Sequence, residues 1–275
     1  MLSITLNGQL LLCQLAERLV DSIDDLTMLQ INTDGLTVRI RRSDRHILED
    51  ICKEWESLTQ LKLEYEDYQQ MIIRDVNNYI GQYTDGKCKH KGTFEIDRDI
   101  HKNHSRRIVP LALHNHFING IPVEQTIRNH IAGIKYDNKY DNHGIFDFCI
   151  AKKATKAFEF EERRVDHNGD IDIKTLDSKI VRYFVSNRGA VLHEMPAGSR
   201  LKKEYDLDDV PELVYGVKGL KGQLAEAHPQ KGKSFYTTNF NIYQEAEIYD
   251  INYQYYIREC NKIKRVIESE PSFFR

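Results

Sequence analysis

The residue best placed to do chemistry in this chain is Asp34, in the run Leu29-Gln30-Ile31-Asn32-Thr33-Asp34-Gly35-Leu36-Thr37-Val38-Arg39-Ile40. Leu29 and Ile31 alternate with polar neighbours before Asp34, and Leu36, Val38 and Ile40 alternate after it, the period-two pattern of a half-buried hairpin. The bend then falls at Asp34. A carboxylate on a hairpin tip is held more firmly than one on a free loop, and a hard oxygen ligand suits Mg²⁺, which takes one or two carboxylates together with phosphate oxygens. Thr33-Asp34-Gly35 is equally ordinary turn chemistry, with Gly35 supplying a positive φ. The segment by itself leaves both readings open.

A second group of residues carries charge. The net charge is -3, yet from Lys87 to Arg107 seven Lys or Arg (Lys87, Lys89, Lys91, Arg98, Lys102, Arg106, Arg107) stand against three acids (Glu95, Asp97, Asp99), with His90, His101 and His104 among them. Binding to a polyanion depends on where charge lies and not on its sum. Lys87, Lys89 and Lys91 are two apart, so on a strand they share a face and can follow a phosphate backbone. The plainer reading is a solvated edge strand protected by lysines. Zinc is a weaker alternative: Cys88, His90, His101 and His104 give a C-x-H and an H-x-x-H pair, with His114 and His116 following, but without the usual C-x₂-C spacing.

The residues around Asp34 resemble motif C of family B DNA polymerases, whose Asp-Thr-Asp-Ser core lies on a palm hairpin and here reads Asn32-Thr33-Asp34-Gly35. By the resemblance Asp34 matches the second, metal-binding aspartate, Asn32 replaces the first and Gly35 the serine. Val76-Asn77-Asn78-Tyr79-Ile80-Gly81 is similar to the Lys-Lys-x-Tyr segment that follows motif C and touches the primer-template backbone, with Tyr79 retained and the lysines not. Gly86-Lys87-Cys88-Lys89-His90-Lys91-Gly92 looks like the basic strand ending in Lys-Gly that leads from palm to thumb. Ile145-Phe146-Asp147-Phe148-Cys149 further resembles the thumb region of polymerases from bacterial viruses and mobile elements. The order of the segments matches, and the resemblance spans essentially residues 1–275.

What this implies is a C-terminal palm portion (residues 1–105) followed by a thumb-like domain (106–275). The expected fold class is α+β: half a palm, a sheet with helices on one face, then a largely helical thumb with a β-hairpin. The implied activity is DNA-directed nucleotidyl transfer with Asp34 on Mg²⁺ and with Asn77, Asn78, Tyr79, Lys87, Lys89, Lys91 and Gly92 against the primer-template DNA. Deoxynucleoside triphosphates are the implied substrates. The family's other metal-binding aspartate, in an Asp-x-x-Ser-Leu-Tyr-Pro-like segment, and its nucleotide-gripping lysine helix are not found. Two-metal transfer holds its ions about 3.5–4 Å apart, which one aspartate cannot do. A partner polypeptide carrying the N-terminal half is therefore expected. The departures at Asn32 and Gly35 also suit a non-catalytic nucleic-acid-binding protein derived from a polymerase, and accidental matches on an α+β interaction protein are the third reading.

The elements that must position these residues read as follows. Leu10, Leu11, Ala16, Leu19 and Val20 recur at helical spacing, and Asp24-Asp25 breaks the chain before the hairpin. Asp44 is placed to cap a helix whose stripe is Ile47, Ile51 and Trp55, with Trp55 in the core. Leu61, Leu63 and Tyr65 alternate, and Met71-Ile72-Ile73 leads to Tyr79. Pro110 and Pro122 suit first helical positions, Asn119-Gly120 a helix stop, and Val123, Ile127 and Ile131 a helical stripe. Residues 179–185 and 190–192 read as a hairpin, and Asp250 opens a last helix through Ile267, packed by Tyr249, Tyr253, Tyr255 and Tyr256. Lys152, Lys153 and Lys156 could reach a duplex backbone. The five cysteines lack a CxxC pair and read as reduced packing residues. No signal peptide or membrane span is evident, so the cytoplasm of a bacterial host cell is the expected location.

Overall fold

The computed structural model describes residues 2–96, 105–132, 147–153, 158–165, 171–176, 180–186, 191–196, 234–237 and 251–269. Asp97, Arg98, Asp99, His101, Lys102, His104, Ile145, Phe146, Lys156 and Tyr249, all singled out above, lie outside the described residues. The architecture is mixed α+β with small antiparallel sheets. The chain divides into two compact units, residues 1–92 and 93–275.

The first unit opens with α1 (Leu2–Ser22), followed by β1 (Thr27–Ile31), β2 (Leu36–Arg39) and α2 (Arg45–Thr59). Leu12, Leu15, Ala16, Leu19 and Ile23 recur at three- and four-residue spacing and are the buried stripe. Leu10 and Val20, expected on that stripe, are more than half exposed, because at 3.6 residues per turn Leu10 falls opposite the stripe and Val20 beside it. Leu15, Leu19 and Ile23 close against Ile51, Cys52 and Trp55 of α2, with Leu36 and Ile40 packed onto the same cluster. Each such side chain contributes about 1.5–3 kcal/mol when fully buried. Trp55 is core as expected, and its indole N–H donates to the carbonyl of Leu11 at 3.0 Å, so its polar edge is satisfied. Asp44 precedes α2, but its carboxylate accepts the Ser43 hydroxyl and caps no helix N–H.

β1 and β2 form a two-stranded antiparallel sheet, which is the expected hairpin. Its alternation is interrupted: Met28 faces Val38 and Gln30 faces Thr37, which leaves Leu29 as a bulge. Residues 60–67 are irregular, so Leu61, Leu63 and Tyr65 alternate without forming a strand. Three strands follow, β3 (Tyr68–Asp75), β4 (Asn78–Tyr83) and β5 (Cys88–His90), paired antiparallel in that order.

Among its described residues the second unit has α3 (Ile108–Asn119), α4 (Val123–Ala132) and six strands, namely β6 (Ile150–Lys153), β7 (Phe158–Val165), β8 (Ile171–Leu176), β9 (Ile180–Ser186), β10 (Val191–Pro196) and β11 (Ser234–Thr237), then α5 (Tyr253–Glu268). The expectation of a largely helical thumb is corrected: these strands make two three-stranded sheets, β10-β7-β8 and β11-β9-β6. The expected hairpin of residues 179–185 with 190–192 is corrected too. β9 pairs with β6 and β11, whereas β10 pairs with β7, so the two strands belong to different sheets. Gly120 ends α3 at φ +69°, the left-handed stop expected there. Pro110 is the third residue of α3, and Pro122 precedes α4 by one. Asn252 caps α5, its side chain accepting the Tyr255 N–H at 3.0 Å, whereas Asp250, expected to open this helix, lies outside the described residues. Tyr256 is fully buried and packs edge-on against Phe148 and Tyr255. Cys52, Cys149 and Cys260 are buried, and none of the five cysteines, all of them described, is in a disulfide.

Candidate functional site

Asn32, Thr33, Asp34 and Gly35 connect β1 to β2, and the loop is organised by Asn32. Its backbone N–H donates to the Gly35 carbonyl at 2.9 Å, and its side-chain oxygen accepts the Asp34 N–H at 3.1 Å. An asparagine at the head of a turn mimics a backbone turn in this way. Gly35 does not supply the positive φ expected of it: among the described residues the glycines at positive φ are Gly86, Gly92 and Gly120, and a Cβ at Gly35 would meet only Asn32 Oδ1, at an ordinary 3.6 Å. Thr33 and Asp34 are exposed. The tip thus presents one carboxylate to solvent while the neighbouring amide is engaged in holding the loop. Among the described residues no group of three His, Cys, Asp or Glu could hold a metal, so Asp34 fits the part of one hard oxygen ligand and no more.

The second set of residues converges on β3-β4-β5. Asp75 pairs with Asn78 across the β3–β4 turn, and its carboxylate accepts the Asn77 N–H at 3.0 Å and the Asn78 amide at 2.6 Å. Lys91 donates its backbone N–H to the Tyr79 carbonyl at 3.0 Å, and Gly92, at φ +58°, lies against the Asn77 carbonyl and the Asn78 side chain. The structure therefore brings Asn77, Asn78, Tyr79, Lys91 and Gly92 together. Tyr79 is only 9% exposed, so its ring serves the sheet; Asn77 and Lys91 are exposed.

The basic residues have partners of their own. Lys87 pairs with Asp85 at 3.1 Å, Arg106 with Glu259 at 2.8 Å and Arg107 with Asp147 at 3.1 Å. Lys89 donates to both oxygens of Glu66, at 2.7 and 2.6 Å. Only Lys89 of the three expected lysines falls inside β5, with Lys87 and Lys91 flanking it. Asp147, nearly buried, also meets His130 at 2.7 Å, which ties α4 to the segment before β6. Cys88 and His90 lie on β5, and His114 and His116 on α3 of the other unit. Lys152 and Lys153 lie on β6.

Three residues without an assigned role in the sequence complete this face. Glu66 accepts the Tyr68 hydroxyl on one oxygen and the Tyr83 hydroxyl on the other at 3.1 Å, besides the two bonds from Lys89. Tyr68 and Tyr83 stack at 5.0 Å, and the Tyr68 ring covers Gly81 so closely that a Cβ there would stand 2.5 Å from Cε1. The hydrogen bond from Lys89, then that from Tyr68, holds the Glu66 carboxyl below the usual carboxylate range. Burial works against charge on Lys89, and the hydrogen bond and attraction of Glu66 outweigh it and hold the ammonium above its ordinary value. Burial and the bond to Glu66 push the Tyr68 phenol up.

No protein-family model matches this chain, and no curated protein matches it. Among the described residues no helix is long and apolar enough to cross a membrane.

Proposed function

We propose that this chain is the C-terminal palm and thumb portion of a family B-like DNA polymerase, contributing Asp34 as one Mg²⁺ ligand and the β3-β4-β5 region as part of the grip on primer-template DNA. The observation that carries the reading is an exposed carboxylate at the bend of a two-stranded hairpin whose loop is fixed by the adjacent Asn32. The clustering of Asn77, Asn78 and Tyr79 with Lys91 and Gly92 supports it, since two segments that match the family in order also lie side by side.

Among the described residues β1 and β2 each keep an outer edge on which no strand is paired. A partner polypeptide with the other metal-binding aspartate would supply the rest of the sheet. When bound, Mg²⁺ would stabilise charge on the attacking and leaving oxygens of a phosphoryl transfer. Asp34 holds its carboxylate at a fixed point for that ion, Asn32 keeps the loop from collapsing onto it, and Lys91 meets backbone phosphate without reading sequence. Deoxynucleoside triphosphates are the substrates on this reading.

The test is Mg²⁺-dependent primer extension by this chain mixed with the polypeptide bearing the other palm half, wild type against Asp34→Asn. Extension lost in the variant supports the reading. A folded mixture that binds DNA and extends nothing favours the second reading, a non-catalytic nucleic-acid-binding protein, which the lone carboxylate at the tip also suits.

A further inference from the structure

We propose that Lys89, Tyr68 and Tyr83 form a binding site for a backbone phosphodiester, and that Glu66 fills it in cis as an internal anion which nucleic acid must displace. The inference rests on the nucleic-acid reading above and adds to it a defined phosphate contact and its regulation.

The donor set is what a phosphodiester calls for. One ammonium and two phenol hydroxyls, drawn from β3, β4 and β5, converge on a single two-oxygen anion, with every donor within 3.1 Å. A carboxylate and the two non-bridging oxygens of a phosphodiester carry the same charge and present a comparable pair of acceptors, so charge-assisted bonds suit either. The two rings are held by each other's stack, and the absence of a side chain at Gly81 lets Tyr68 lie flat on the sheet, so the hydroxyls stay aimed when the carboxylate leaves.

The occupant is the movable part. Glu66 belongs to the irregular segment 60–67, not to the sheet, and its side chain is 44% exposed while that of Lys89 is 29% exposed. The next residue, Asp67, turns the other way and pairs with Arg45 of α2 at 2.9 Å, and Leu63 N–H is held by Glu56 at 2.6 Å. The segment therefore stays tethered to the helix whether or not Glu66 is on the sheet. A tethered carboxylate competes at high effective concentration, which weakens phosphate binding without abolishing it.

The experiment is binding of fluorescent primer-template DNA to the full chain across a range of salt. Removing the competitor with Glu66→Gln is expected to tighten binding about three- to tenfold at 0.1 M salt and to steepen the log–log salt dependence by about 0.9, the release expected for one further phosphate contact. Asp50→Asn, which removes an equal charge from an exposed pair with Lys53, should give a smaller gain and no added slope. Adding Lys89→Met should erase the gain, and should cost more in the Glu66→Gln background than in the wild type. Where Glu66→Gln does not melt cooperatively, Asp67→Asn loosens the same segment from Arg45 and should tighten DNA in a Lys89-dependent way. Pyrophosphate that reverses the Glu66→Gln gain at concentrations leaving the rest of the binding intact would assign the site to free polyphosphate instead of backbone. Unchanged affinity and slope in Glu66→Gln, with wild-type binding intact, overturns the inference and leaves the polymerase reading standing. No DNA binding by either protein overturns both, and failed primer extension alongside the Glu66→Gln gain removes only the polymerase.

Discussion

Gly92 lies against the carbonyl of Asn77 so closely that a Cβ built on it would stand within 3.0 Å of that oxygen. Gly92 is also at φ +58°, where side chains are strained. Its place beside Asn77 and Asn78 is what fastens the end of β5 to the β3–β4 turn. Gly92→Ala is therefore expected to destabilise the first unit by about 2 kcal/mol or more, from left-handed backbone strain together with a backbone collision. Urea unfolding of the full chain measures it, and a loss under about 0.5 kcal/mol, the size of an ordinary surface change, would contradict this packing.

At the hairpin tip stability and activity should separate. Asp34 is exposed and its carboxylate holds no part of the loop, so Asp34→Asn should change stability by less than about 0.5 kcal/mol. Asn32→Ala removes the acceptor of the Asp34 N–H and should cost about 0.5–1.5 kcal/mol. Thermal melts of the two variants rank them; the reverse order would mean that the aspartate and not the asparagine organises the tip.

How far the sequence revealed this structure depended on whether neighbours along the chain decided the outcome. The Ile47, Ile51 and Trp55 stripe, the hairpin around Asp34 and the stop at Gly120 are local, and all are present. The Glu66 cluster was not legible, because two irregularities shift the pairing of β3 with β4. Counting outward from Asp75 opposite Asn78 would set Tyr68 opposite Asp85; the two bulges bring it opposite Tyr83 instead. β9 and β10 failed for a related reason. Two strands joined by Ser186-Asn187-Arg188-Gly189 carry a hairpin's local signal, and only pairing with the distant β6, β11 and β7 places them in separate sheets. Lys89 looked free in sequence because its partner lies twenty-three residues away.

Tyr256 should behave as a structural bolt of the second unit. Its hydroxyl donates to the Phe148 carbonyl at 2.6 Å and accepts the Val185 N–H at 3.1 Å, all three groups being buried. Tyr256→Phe keeps the ring and strands both backbone groups, which should cost about 1–3 kcal/mol for each group left unsatisfied. Chemical denaturation reads the loss, and hydrogen exchange at Val185 should quicken. Wild-type protection at Val185 in the variant would mean that the hydroxyl closes nothing.

The Glu66 cluster should give the first unit an acid-sensitive increment of stability. The folded-state carboxyl lies below its ordinary value of 4.5, so its contribution is complete above that value and is lost as pH falls through the depressed one. On the alkaline side Lys89 is held above its ordinary 10.5, so its share is complete below that value and is lost only as pH rises past the raised one. Between these limits the pair is fully charged and its contribution flat. Because Glu66 is nearly half exposed, solvent screening keeps the increment modest. Melting temperatures of wild type and Glu66→Gln, followed from pH 7 to pH 3, should therefore differ by a constant amount down to about pH 4.5 and converge below it. Curves that stay parallel to pH 3 would show that Glu66 is not held charged by Lys89, Tyr68 and Tyr83.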